Sequence, residues 1–199
     1  SEQLEWVMNM RDMAGWFLRA LDELGLSPVN TVGFSLGGWL AAEMAVMDPH
    51  MFKSLVLVNS AGVKPPTGEI LDIFPLGARD YITKSILDTG TAPEFKEVCP
   101  EEPSPEQSEN WAMALDQSCR LSWKPYMHYP GLLHLLPRLE TLPTLIIWGK
   151  QNPIIPLSAG EVYQDRIPGS RLVVLDNCGH RPELERPDEL AQSIQTFLA

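Results

Sequence analysis

The apolar run Val29–Phe34 passes without a spacer into Gly33-Phe34-Ser35-Leu36-Gly37-Gly38 and then into a helical stretch over 36–48. A short apolar strand that turns directly into an apolar helix is a strand-to-helix unit of an α/β sheet, which rules out an all-helical or all-antiparallel reading. The serine is held on the turn itself. Glycines at 33 and 37 are expected because side chains there would collide with the neighbouring strand or helix. Such a turn lifts the Ser35 hydroxyl clear of the sheet, where it can act as a nucleophile. It also turns the N–H of Leu36, the first of the helix, toward the place where an oxyanion would form.

Three more short apolar runs read as buried parallel strands: Ser54–Val58, Thr144–Trp148 and Arg171–Leu175. Helical patterns cover 2–24, closed by Gly25, then 36–48, 157–166 and 187–198. The alternation predicts a parallel sheet of about four strands flanked by helices, with the reacting groups at the strands' C-terminal edge. Residues 63–138 break the rhythm with Pro, Glu and aromatic residues and with helical candidates at 68–74, 78–88, 105–122 and 131–139. This divides the chain into a core part over 1–62, a helical lid over 63–138 and a second core part over 139–199. Trp111, Met113, Trp123, Tyr126 and Met127 are expected on the lid's underside, and Phe34, Trp39 and Trp123 are the expected walls of a substrate pocket.

His180 follows the last strand in Cys178-Gly179-His180, on a loop that can reach a serine at the same sheet edge. The other three histidines, His50, His128 and His134, fall at helix ends or in the polar middle segment. A net charge of −11 argues against nucleic acid or an anionic membrane surface as partner and for a small-molecule substrate. Three widely spaced cysteines fit neither a disulfide framework nor a zinc site, which predicts reduced thiols and a cytoplasmic setting. No apolar run reaches the ~20 residues of a membrane span. No metal cluster or phosphate-binding glycine loop is present, so no cofactor is implied; the glycines of 33–38 lack the G-x-G-x-x-G spacing.

Taken with Ser35 on its turn, three further stretches make the chain resemble the α/β-hydrolase superfamily. These are Pro143-Thr144-Leu145-Ile146-Ile147-Trp148-Gly149-Lys150-Gln151-Asn152-Pro153-Ile154-Ile155-Pro156, Cys178-Gly179-His180, and Glu185-Arg186-Pro187. The resemblance implies a partial α/β-hydrolase fold with an inserted helical lid. It also implies acyl transfer to water: Ser35 attacks a carbonyl, His180 serves as general base and then acid, Leu36 N–H holds the oxyanion, and residue 152 orients His180. An ester or similar small carbonyl compound is the expected substrate, with carbon–carbon bond hydrolysis of ring-cleavage products as the alternative. Serine at 35 argues against dehalogenase-type chemistry.

Two departures from the family pattern bear on function. Asn152 stands where the pattern puts Asp, and an amide has no charge to stabilise an imidazolium and is free to turn its NH2 toward the ring. Other places for an acid hold Asn59-Ser60, or Asp176, which need not face the ring; impairment is therefore expected rather than relocation of the acid. The family's leading strands, and with them its second oxyanion donor, have no counterpart in this sequence. That leaves Val29–Phe34 as an apolar edge, expected to pair with another copy or with a complementing N-terminal segment. A non-catalytic binding module on a hydrolase framework is the alternative from a different class.

Overall fold

The computed structural model describes residues 4–92 and 94–199. Its elements run α1 (Met10–Glu23), β1 (Val29–Phe34), α2 (Leu36–Met47), β2 (Phe52–Val58), α3 (Ala78–Lys84), α4 (Phe95–Val98), α5 (Pro105–Ser122), α6 (Pro130–Leu135), β3 (Thr144–Gly149), α7 (Leu157–Arg166), β4 (Arg171–Leu175), α8 (Pro182–Glu185) and α9 (Pro187–Leu198). The four strands form one parallel sheet in the order β1-β2-β3-β4. Alternate residues of β2 and β3 serve two cores. Leu55, Leu57, Ile146 and Trp148 pack with α2 and α7, and Val56, Val58, Leu145 and Ile147 pack with α9. Both faces being covered, the two central strands read as continuous apolar runs rather than alternating ones.

β1 differs. It is paired on one side only among the described residues, and Val32 and Phe34 are 40% and 38% exposed. The helix expected over 2–24 starts only at Met10, because Asn9 accepts from the backbone N–H groups of Arg11 and Asp12 and so caps it there; residues 2 and 3 lie outside the described residues. Val7, ahead of the cap, is nonetheless buried. Glu43, buried in α2, accepts from Trp39 Nε1 at 3.2 Å and lies 3.4 Å from Arg11 Nε, tying α1 to α2.

Between β2 and β3 the helical candidates at 78–88, 105–122 and 131–139 form α3, α5 and α6 with the 3₁₀ turn Leu136–Leu139, while 68–74 does not. There the backbone finds tertiary partners instead: Leu71 N–H donates to Ile154 O and Ile73 N–H to the Tyr126 hydroxyl. No described helix is long and apolar enough to cross a membrane.

Candidate active site

Ser35 sits between β1 and α2 with φ +50° and ψ −117°, a conformation that L-residues rarely adopt. Gly33 makes the turn feasible, since a Cβ there would run into the Gly37 carbonyl. Gly37 does not share that role, because a Cβ on it would meet open space; the second tight position is Gly38, whose Cβ would fall 2.6 Å from Ser60 Oγ. The expectation of a crowded Gly37 is thus corrected by one residue. Leu36 opens α2, so its N–H has no partner within the helix and borders the cavity over Ser35.

His180 is buried, with Nε2 3.0 Å from Ser35 Oγ and Nδ1 3.2 Å from Asn152 Oδ1. The sequence reading leaves the amide of Asn152 free to present its NH2. The fold removes that freedom. Asn152 Oδ1 also accepts from the backbone N–H groups of Ile154 at 2.9 Å and Ile155 at 3.0 Å, and a flipped amide would set its NH2 against two donors. The carbonyl therefore faces His180, Nδ1 carries the proton, and the Nε2 lone pair faces Ser35. Asn152 Nδ2 is buried and has no hydrogen-bond partner among the described residues. Burial, with the Arg181 guanidinium adding in the same direction, pushes the His180 pKa down to about 3, so the ring is a neutral base with a poorly stabilised conjugate acid. Asp176 offers no relief: it pairs with Lys150 at 2.6 Å on the surface.

Two residues that the sequence reading named without this role, Asn59 and Glu185, hold the histidine loop. Asn59, at the C-terminal end of β2 with φ +46°, donates from Nδ2 to the carbonyls of Gly179 and His180 and accepts at Oδ1 from Gly149 N–H. Glu185, also buried, accepts from the backbone N–H groups of Gly179, Arg181 and Leu87. His180 N–H donates to Ser85 O at 2.8 Å, so the loop is bound to the end of α3 as well as to the sheet. The hints in sequence are a polar residue, Asn59, closing the apolar run of β2, and the Glu185-Arg186-Pro187 stretch, neither of which names these partners.

A cavity of about 240 Å³ lies over Ser35. Its walls include Leu36, Ile73, Tyr81, Trp111, Met127, Ile155 and Arg181. Of the expected underside residues, Trp111 and Met127 border it; Met113 and Trp123 are more than half exposed, and Tyr126 spends its hydroxyl on the backbone of Leu71 and Ile73. The three expected pocket walls lie elsewhere. Phe34 flanks the open groove along β1, Trp39 is buried against Gly62 and Glu43, and Trp123 packs on Phe74.

Comparison with known proteins agrees with this geometry. The chain is 28% identical, over 90% of its length and 66% of the relative's, to a 2-hydroxy-6-oxononadienedioate/2-hydroxy-6-oxononatrienedioate hydrolase of Pseudomonas sp.. It is 27% identical to a monoacylglycerol lipase of Mus musculus, over 89% of the chain and 56% of the lipase. It thus spans less than two thirds of the length of either relative. The 2-hydroxy-6-oxo-6-phenylhexa-2,4-dienoate hydrolase from Rhodococcus sp. strain RHA1 superposes with a TM-score of 0.74 at 23% identity, covering 99% of this chain and 75% of that one. The family described as alpha/beta hydrolase fold matches residues 4–187. With a serine on a strand-to-helix turn, a histidine against it and a parallel sheet beneath both, the chain belongs to the alpha/beta hydrolase family.

Proposed function

We propose that the chain is a serine hydrolase acting on an ester or similar small carbonyl compound, slowed because an amide stands at position 152. The observation that carries this is the 3.0 Å contact between Ser35 Oγ and His180 Nε2 at the floor of an apolar cavity. Ser35 Oγ attacks the carbonyl carbon, its proton passes to His180 Nε2, and the carbonyl electron pair moves to oxygen beside Leu36 N–H. His180 then returns the proton to the leaving group, and water repeats the sequence on the acyl-serine. The segment between β2 and β3 acts as the lid. A cavity of about 240 Å³, below the usual range of roughly 300–1,000 Å³, favours a short acyl group over a long chain. The open edge of β1 is where a further strand, from an N-terminal segment or another copy, would pair.

Turnover of p-nitrophenyl butyrate by the chain, by Asn152→Asp and by Ser35→Ala tests this. Activity that rises in Asn152→Asp and vanishes in Ser35→Ala supports the reading, and equal background rates in all three overturn it. The second reading is carbon–carbon bond hydrolysis of a ring-cleavage product, favoured by the names of several relatives. Decay of 2-hydroxymuconate semialdehyde absorbance, faster than ester turnover and dependent on Ser35, would select it.

A further inference from the structure

The cavity over Ser35 is apolar almost throughout, and its few polar groups are unequal. Ser118 is committed, donating to Ala114 O at 2.7 Å. Arg181 is the only charged residue in the wall among the described residues. It follows His180 directly in the chain, so the loop that sets the base against Ser35 sets this cation at the same cavity. Its backbone is fixed: Arg181 N–H donates to Glu185 Oε1 at 3.2 Å, beside Gly179 N–H on the same carboxylate. The guanidinium is far less committed. Among the described residues only its Nη1 finds an acceptor, Glu183 Oε1 at a long 3.4 Å, and its carbon lies 5.9 Å from the centre of the Tyr81 ring. Nε is buried without a partner, as is Glu183 Oε2, and 27% of the Arg181 side chain remains accessible. A guanidinium carries five N–H donors and stays charged at any working pH. Set in an apolar wall with one weak partner, it lacks the acceptors that a carboxylate supplies.

We propose that Arg181 binds substrate and selects esters whose acyl group ends in a carboxylate, the half-esters of short dicarboxylic acids. The inference rests on the serine-hydrolase reading and narrows its substrate class. Ser35 takes the ester carbonyl while the far carboxylate lies against the guanidinium, in surroundings of low dielectric where a charge-assisted pair is strong. A cavity of about 240 Å³ limits the chain between the two groups to a few carbons. The net charge of −11 repels anions from a distance, so the attraction is a short-range one made inside this wall. The carboxylate is remote from the reacting carbonyl and is held alike before and during attack, which places its contribution on KM rather than kcat.

The test compares monoethyl glutarate with ethyl pentanoate, esters of like length that differ by a carboxylate in place of a methyl group. Ethanol release is followed in the chain and in Asn152→Asp, each with and without Arg181→Met or Arg181→Lys. The half-ester is preferred through a lower KM, and the ratio of the two kcat/KM values falls by roughly 10- to 100-fold in Arg181→Met. Arg181→Lys, which keeps the charge without the fork, loses less. The ratio is read rather than either rate, because removing Arg181 also takes a positive charge from beside His180. No preference for the half-ester while Arg181 is present, or a preference that survives Arg181→Met, overturns this inference alone. Where Arg181→Met loses its thermal transition, Arg181→Lys decides: a lowered ratio supports the assignment and an unchanged one overturns it. Absence of turnover of both esters in the chain and in Asn152→Asp brings down the serine-hydrolase reading. Calorimetry on Ser35→Ala then decides on the carboxylate site: monoethyl glutarate binding at least about tenfold tighter than ethyl pentanoate, and only with Arg181 present, supports it. Equal binding of the two overturns it.

Discussion

Two buried asparagines close neighbouring strands, and they are in opposite situations. Asn59, after β2, faces one donor and two acceptors and uses both ends of its amide: Gly149 N–H on the oxygen, the Gly179 and His180 carbonyls on the nitrogen. Asn152, after β3, faces donors alone. Its oxygen takes Ile154 N–H, Ile155 N–H and the His180 ring, and its nitrogen takes nothing among the described residues. An amide fits the first place. The second presents only donors, as a carboxylate would require, and is met by an amide that can use its oxygen alone. Glu185 makes the point from the other direction, since its surroundings also present only N–H groups and are met by a carboxylate.

The largest effect should come from giving position 152 the group its surroundings match. Asn152→Asp is expected to raise kcat/KM by up to about 10⁴-fold, the factor lost on the reverse change in a serine protease, with the His180 pKa moving up from about 3. The pH–rate profile of the ester assay reads both. Asn59→Asp should do the opposite, because it sets a buried carboxylate against two carbonyl oxygens. A loss of more than about 3 kcal/mol in urea unfolding is expected, and an unchanged midpoint would break the distinction drawn between the two sites. Glu185→Gln recreates at 185 the mismatch now found at 152, and should cost about 1–3 kcal/mol by the same measurement.

The smallest effect is on pH dependence. His180 in the folded chain binds its proton only near pH 3, against an ordinary value of 6.5. Between those values the unfolded chain takes up a proton that the folded chain does not, so stability is full above pH 6.5 and falls as the pH drops. A Tm that declines by several degrees from pH 7 to pH 5, and less so in Asn152→Asp, is the expected outcome in thermal melts.

Much of this was legible before any coordinates. β1 and β4 have the ends that their apolar runs predict, and α7 and α9 begin and stop where the periodicity does, because a strand or helix boundary depends on local turn residues. Ser35 and His180 were marked by local signatures of the same kind. The supporting groups were not. Asn59 and Glu185 act across 120 and 6 residues of chain on the same glycine, a relation that no local pattern records. Phe34, Trp39 and Trp123 were misplaced for a related reason: an aromatic residue can face the cavity, the core or solvent, and tertiary packing decides which, as it does for Trp39 against Glu43 and Trp123 against Phe74.

The hydrogen bonds that join α3 to the histidine loop also divide the cavity's cover. The segment between β2 and β3 borders the cavity, and it is not fastened alike along its length. Its first helix is bound at its end to the His180 backbone and to the carboxylate of Glu185, so any displacement of α3 is transmitted to the histidine loop. The far half, where α5 borders the cavity through Trp111 and Leu115, is fastened elsewhere, through Arg120 on the carbonyls of Leu4 and Val7. The cavity wall nearest the histidine is thus tied to Ser35's partner, and the wall that α5 supplies is tied to the start of the chain.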